Sequence, residues 1–218
     1  MSIESLLTPL PTLLSAHAGA DGPRHQAIWA FDAQLAKIAR TTRERAIGQM
    51  RLAWWNDVIE DPSGVKGQGE PVVDALRAAG GMAAPGLVAM IDGWEVLVVD
   101  AEIDAQDLRD YATGRGGGLF RALAGQDDAP DWLVAAGQVW ALWDLAGHVE
   151  EAALADAALA LARDLSPRVD QVRWPAAWRP LRIASTLARQ DVAKGRGMPR
   201  GMSRGQAFRL LRIALVGR

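Results

Sequence analysis

Along this chain apolar residues recur at spacings of three and four between proline and glycine breaks, with no sustained alternation of period two. The stretch 24–40 shows the pattern best. Ile28, Phe31, Leu35 and Ile38 fall on one face, as they do in an amphipathic helix and cannot in a half-buried strand. Composition points the same way. We count 40 alanines among 218 residues, while tyrosine and phenylalanine number 1 and 3, so the local preference is for helix over sheet. The length suits one substantial core rather than two. The pattern therefore predicts a single all-α domain.

Several chemistries are excluded early. There is no cysteine, hence no disulfide scaffold, thiolate metal site or cysteine nucleophile. The histidines are scattered at 17, 25 and 148, which disfavours a histidine-based zinc centre. No apolar run reaches the roughly 18 residues of a membrane span. The opening MSIESLLTPLPTLLS carries an acid and two prolines and does not read as a signal peptide. These features predict a cytoplasmic protein.

Helices are expected over residues 2–16 (interrupted near Pro9 and Pro11), 24–40, about 42–60, 71–79, 85–101, 104–124, 130–147, 150–164, 174–190 and 204–216. Asp104 followed by Asp107 is a capping signature. In 42–60 the expected buried stripe is Ile47, Met50, Trp54 and Val58, with Trp55 about 100° further round. Pro175 is expected in the first turn of the 174–190 helix, with Pro180 as a kink. Ser203 is expected to cap the last helix.

The stretch from Trp29 to Asp61 carries a resemblance. Phe31-Asp32-Ala33-Gln34-Leu35-Ala36-Lys37-Ile38, followed by Ile47-Gly48-Gln49-Met50-Arg51-Leu52-Ala53-Trp54-Trp55, resembles the squalene/phytoene synthase family. It is closest to the branch of that family that includes the complex I assembly factor and its bacterial relatives. Looser matches lie at Asp107–Tyr111 with Gly117–Leu119 and at Ala136–Leu142. The resemblance implies an isoprenoid synthase fold in a reduced version, with residues 1–193 forming the domain and 194–218 a basic linker and terminal amphipathic helix. Active members place Asp-rich patches on facing helices, where Mg²⁺ bridges the carboxylates to a prenyl diphosphate. At the first patch this chain has Ala36, Lys37 and Arg40. At the second, only Asp144 is acidic, followed by His148 and Ala152. The resemblance thus implies a pseudoenzyme without cofactor that assists respiratory complex assembly or binds an isoprenoid or other lipid. Its expected ligand-contacting residues are Lys37, Arg40, Arg51, Trp55, Tyr111 and Asp144. The competing reading is an active head-to-head prenyltransferase using Mg²⁺ on a set such as Asp57 and Asp61.

Other features admit two readings each. Asp57 and Asp61 share a helical face and serve either as solvated surface or as a Mg²⁺ or partner site. The run Gly114-Arg115-Gly116-Gly117-Gly118 serves close helix packing, a cavity wall or, least readily, a phosphate cradle, since no lysine-serine/threonine pair follows it. Trp29, Trp54, Trp55, Trp140 and Trp143 read as core, or as the wall of an apolar tunnel. His148 reads as structural. Finally, residues 179–218 carry ten basic groups against Asp191 alone, a net +9, while the rest of the chain is −11. With Phe208, Leu211 and Leu215 on one stripe, the last helix is expected either to touch the inner face of a membrane or to pack on the acidic body. Respiratory-complex subunits are the other expected partners, and nucleic acid is not.

Overall fold

A computed structural model describes residues 9–99, 102–201 and 204–216, and all regular structure among them is helical. The helices are α1 (Pro9–Ala16), α2 (Gly22–Thr41), α3 (Arg45–Ile59), α4 (Pro71–Ala78), α5 (Leu87–Val99), α6 (Ala105–Tyr111), α7 (Gly118–Ala124), α8 (Asp131–His148), α9 (Ala152–Leu165), α10 (Arg179–Val192) and α11 (Arg204–Val216). The Asp104 carboxylate accepts from the backbone N–H groups of Gln106 and Asp107, and Asp107 returns the bond to Asp104 N–H, so α6 starts with the expected capping box.

The expected 104–124 helix is one rod with a six-residue π-helical segment, Ala112–Gly117, between α6 and α7. The glycines explain why that rod is tolerated. Gly114 lies against Gly93 of α5, Gly116 against Gly137 of α8, and Gly118 against Gly86 just before α5. A Cβ on Gly116 would lie 2.3 Å from the Gly137 carbonyl oxygen. Side chains are omitted where three backbones meet, which is the packing reading of the glycine run. The wider turn of a π segment shifts the rod's register and turns the one large residue of the run, Arg115, into the interior. α8 crosses at the centre of the bundle and buries nine of its side chains, among them Trp140, Leu142 and Trp143.

Three expectations need correction. Trp54 is 42% and Met50 65% exposed, whereas Trp55 is 2% exposed. The buried face of α3 is Gly48, Leu52, Trp55 and Val58, one residue round from the expected stripe. The cause is Gly48. Its bare backbone admits Val98 of α5 so closely that a Cβ would lie 2.4 Å from Val98 Cγ1, and this contact fixes the rotation of the helix. Second, α10 begins at Arg179 with Pro180 in its first turn, and residues 176–178 form a separate 3₁₀ turn. Proline sets the helix start rather than a kink. Third, α1 runs unbroken from Pro9 through Pro11 to Ala16, and residues 2–8 of the expected helix lie outside the described residues. The expected cap Ser203 lies outside the described residues.

The terminal helix packs on the body through Leu210, Ile213 and Ala214, all buried. The expected stripe is not the packed one: Phe208 and Leu211 face outward at 70% and 54% exposure. Arg209 reaches Asp191 of α10 at 2.9 Å, and Arg179 donates to the Ala214 carbonyl at 2.7 Å.

Trp55 packs edge-on against Phe31, with ring centroids 5.4 Å apart. Trp55→Ala should therefore cost about 3–5 kcal/mol in chemical denaturation, and Trp54→Ala less than about 1 kcal/mol. Equal losses at the two positions would place the α3 face wrongly.

Candidate functional site

Asp32 sits on the apolar face of α2, one turn after Ile28, and its side chain is 6% exposed. A carboxylate so placed needs partners, and Arg115 supplies them. Its Nε and Nη2 donate to the two Asp32 oxygens at 3.0 and 2.9 Å, a bidentate fork. Its Nη1 reaches Asp144 of α8 at 2.7 Å and also donates to the Tyr111 hydroxyl. Trp94 Nε1 donates to Asp32 at 2.8 Å. The guanidinium carbon lies 4.2 Å from the Trp94 ring centroid and 5.0 Å from that of Trp140. One cation is thus held by two carboxylates and stacked between indoles.

This arrangement sets the local acid–base behaviour. Burial alone would push the Asp144 carboxyl up, but the Arg115 charge and the His148 hydrogen bond outweigh it and hold the group down at about 2. His148 Nδ1 lies 3.4 Å from Asp144 Oδ1, and that pairing raises the imidazole above its ordinary 6.5. Burial pushes the Tyr111 phenol up. Asp32 and Asp144 share Arg115 as their cation, and His148 adds a second positive charge beside Asp144 when it is protonated.

Above this cluster opens a pocket of about 190 Å³ between α2, α8, α10 and α11. Its apolar wall includes Trp29, Ala36, Trp140, Trp143, Leu187 and Leu210. Among the described residues, the indole N–H groups of Trp29, Trp140 and Trp143 meet no acceptor, and neither does Arg209 Nε. The mouth is cationic. Arg40 and His148 both line it, close enough for the Arg40 charge to oppose protonation of His148. Arg200 joins them, its Nε donating to the carbonyl of Gly147 at 3.3 Å.

Of the six ligand-contacting residues expected from the sequence, Arg40 and Asp144 line this pocket. Tyr111 lies beneath it, bonded to Arg115. Lys37 is exposed, and Arg51 is exposed with Thr42 as its hydrogen-bond partner at 3.4 Å. Trp55 is buried against Phe31 and Trp54 instead. Asp32, Arg115 and Trp94 were not expected at a site. The signal for Asp32 was an acid at helical spacing on an apolar face. For Arg115 it was a lone large side chain in a run of glycines. His148, expected to be structural, is both an ion-pair partner and part of the pocket wall.

Asp57 and Asp61 face elsewhere. Asp61 accepts from the Ser63 hydroxyl at 2.6 Å and from the backbone N–H groups of Ser63, Val65 and Lys66, which hold its carboxyl well below the usual range. Asp57 pairs with Lys66 at 3.5 Å. The pair orders the 61–66 loop. Among the described residues no three histidine, aspartate or glutamate side chains converge as a metal site, and no helix is long and apolar enough to cross a membrane. No protein-family model, curated protein or solved structure matches the chain.

Removing Arg115 would leave two buried carboxylates facing one another. Arg115→Met should cost about 3–5 kcal/mol, with part of the loss recovered when Asp32→Asn is added. Denaturant melts of the single and double variants check this, and additive losses would sever the pairing. Stability should also carry two pH limbs. The Asp144 share is complete above the ordinary carboxyl value of 3.8 and is lost as pH falls toward about 2. The His148 share is complete below 6.5 and is lost as pH rises through the raised value. In melting temperature against pH, His148→Gln should flatten the alkaline limb and also shrink the acid limb, since His148 helps hold the Asp144 carboxyl down.

Proposed function

We propose that the chain is a non-catalytic, squalene/phytoene synthase-like protein of reduced isoprenoid synthase type, whose pocket holds an isoprenoid or similar lipid with an anionic head. The observation that carries this reading is Arg115. A Mg²⁺ ion bridging a diphosphate needs carboxylate oxygens free to coordinate it. Here the acids on the two facing helices, Asp32 and Asp144, are both engaged by one buried guanidinium. A metal would have to displace a desolvated, fully bonded cation.

The rest of the pocket suits a ligand with a greasy body and a charged end. Three tryptophans and three leucines offer apolar contact. Arg40, Arg200 and His148 offer charge-assisted donors at the mouth, where a phosphate accepts without a metal. The likeness of Phe31–Ile38 and Ile47–Trp55 to the family supports the fold type, and the two segments pack together through Phe31 and Trp55.

Titration of the protein with farnesyl diphosphate, followed by tryptophan fluorescence, tests the reading. Binding should occur without Mg²⁺ and weaken about tenfold in Arg40→Ala and in Arg200→Ala, the loss of one charge-assisted contact each. Labelled substrate should pass through Mg²⁺-containing incubations unchanged. Mg²⁺-dependent conversion that is abolished by Asp144→Asn would overturn the non-catalytic assignment. Failure to bind with or without the metal would overturn the ligand assignment.

A further inference from the structure

A second concavity, of about 1170 Å³, lies between the 169–176 loop, α10 and the end of α11. Arg173, Arg179, Arg182 and Arg189 line it, with Trp174 beside them. Only Arg189 has a carboxylate, Asp170, and Arg179 is spent on the Ala214 carbonyl. Arg173 and Arg182 have no acidic partner among the described residues. Four cations crowd one groove with a single balancing charge, an arrangement that stores repulsion unless an anion relieves it.

An exposed apolar ridge stands on the helix that bounds the groove. Ala214 closes one side, and on the same helix Phe208 and Leu211 stand three residues apart, exposed, with exposed Arg212 next to Leu211. Two large exposed apolar side chains flanked by arginines are the profile of an element that lies in a bilayer interface. The chain's own acids do not answer this charge. Among the described residues, the cations of 179–216 pair with Asp170 and Asp191 alone, and Arg182, Lys194, Arg200 and Arg212 meet no carboxylate. Of the acids in residues 1–178, only Asp170 forms an ion pair with this segment among the described residues, so the body's negative charge answers little of it.

We infer that this groove and ridge form a docking surface for an anionic membrane. Phospholipid phosphates sit against Arg173 and Arg182, while Phe208 and Leu211 enter the headgroup layer. The surface is distinct from the pocket and does not depend on what the pocket holds. A free phosphate could meet the same arginines, but it would gain nothing from the two exposed apolar residues. The ridge therefore favours lipid.

The test is co-sedimentation of the full chain with vesicles of phosphatidylcholine alone and of phosphatidylcholine containing phosphatidylglycerol. Binding is expected to the anionic vesicles only and to decline with salt. It should fall by about tenfold or more in Arg173→Glu/Arg182→Glu and also in Phe208→Ser/Leu211→Ser, with melting temperatures unchanged. Both pairs are exposed or half-buried, so folding is spared, and farnesyl diphosphate binding should stay at its wild-type strength in all of them. Absence of vesicle binding overturns the proposal, as does binding that ignores both double variants. If inorganic phosphate displaces the protein completely and Phe208→Ser/Leu211→Ser binds as the wild type does, the groove takes a free anion and the membrane assignment is overturned.

Discussion

The bundle is organised around a single buried cation. Arg115 draws on α2 through Asp32, on α8 through Asp144 and Trp140, on α5 through Trp94 and on α6 through Tyr111. Taking a guanidinium and two carboxylates out of water costs several kcal/mol per ion, and the cost is offset only where geometry and hydrogen bonding are complete. Here Asp32 accepts a bidentate fork and an indole N–H, and Asp144 accepts from Arg115 and pairs with His148. Loss of α2 or α8 from this arrangement strands a charge, so the cluster specifies how these helices meet more than it adds to their stability.

The glycine pairs follow from the same requirement. An arginine reaches the centre of a helical bundle only if the backbones around it come close and its own segment turns inward. Gly93 with Gly114, Gly116 with Gly137 and Gly86 with Gly118 bring the α6–α7 rod against α5 and α8, and the π segment at Ala112–Gly117 supplies the turn. Gly-rich sequence here is neither flexible loop nor phosphate cradle. It is the means by which one long side chain is delivered to a place where several small ones would otherwise pack.

Helix content, the Asp104 cap and the general placement of the helices are legible in the sequence, because they depend on local periodicity and local hydrogen bonds. The rotation of α3 is not. Ile47, Met50, Trp54, Val58 and Gly48, Leu52, Trp55, Val58 are both acceptable stripes by spacing, and the choice is made by Val98, distant in sequence, settling on Gly48. The site was half legible for a similar reason. Arg40 and Asp144 follow from the family resemblance, which compares positions. Asp32 and Arg115 emerge only when residues 83 positions apart meet. A lone acid on an apolar face and a lone arginine among glycines are each ambiguous, and read together they would have suggested one another.

The terminal helix is where pocket and surface come together. Consecutive residues divide the roles: Arg209 and Leu210 line the pocket, while Phe208 and Leu211 face outward. Among the described residues, α11 is held by the buried Leu210, Ile213 and Ala214, the Arg209–Asp191 ion pair, the Arg209–Gln190 hydrogen bond and one arginine-to-carbonyl bond. Another wall is α8, with nine buried side chains and the charged cluster. Local opening follows the weakest attachment, so of these two walls α11 is the one that yields first. The outward-facing Phe208 and Leu211 stand on that same helix, so one element carries both a wall of the pocket and the exposed apolar pair.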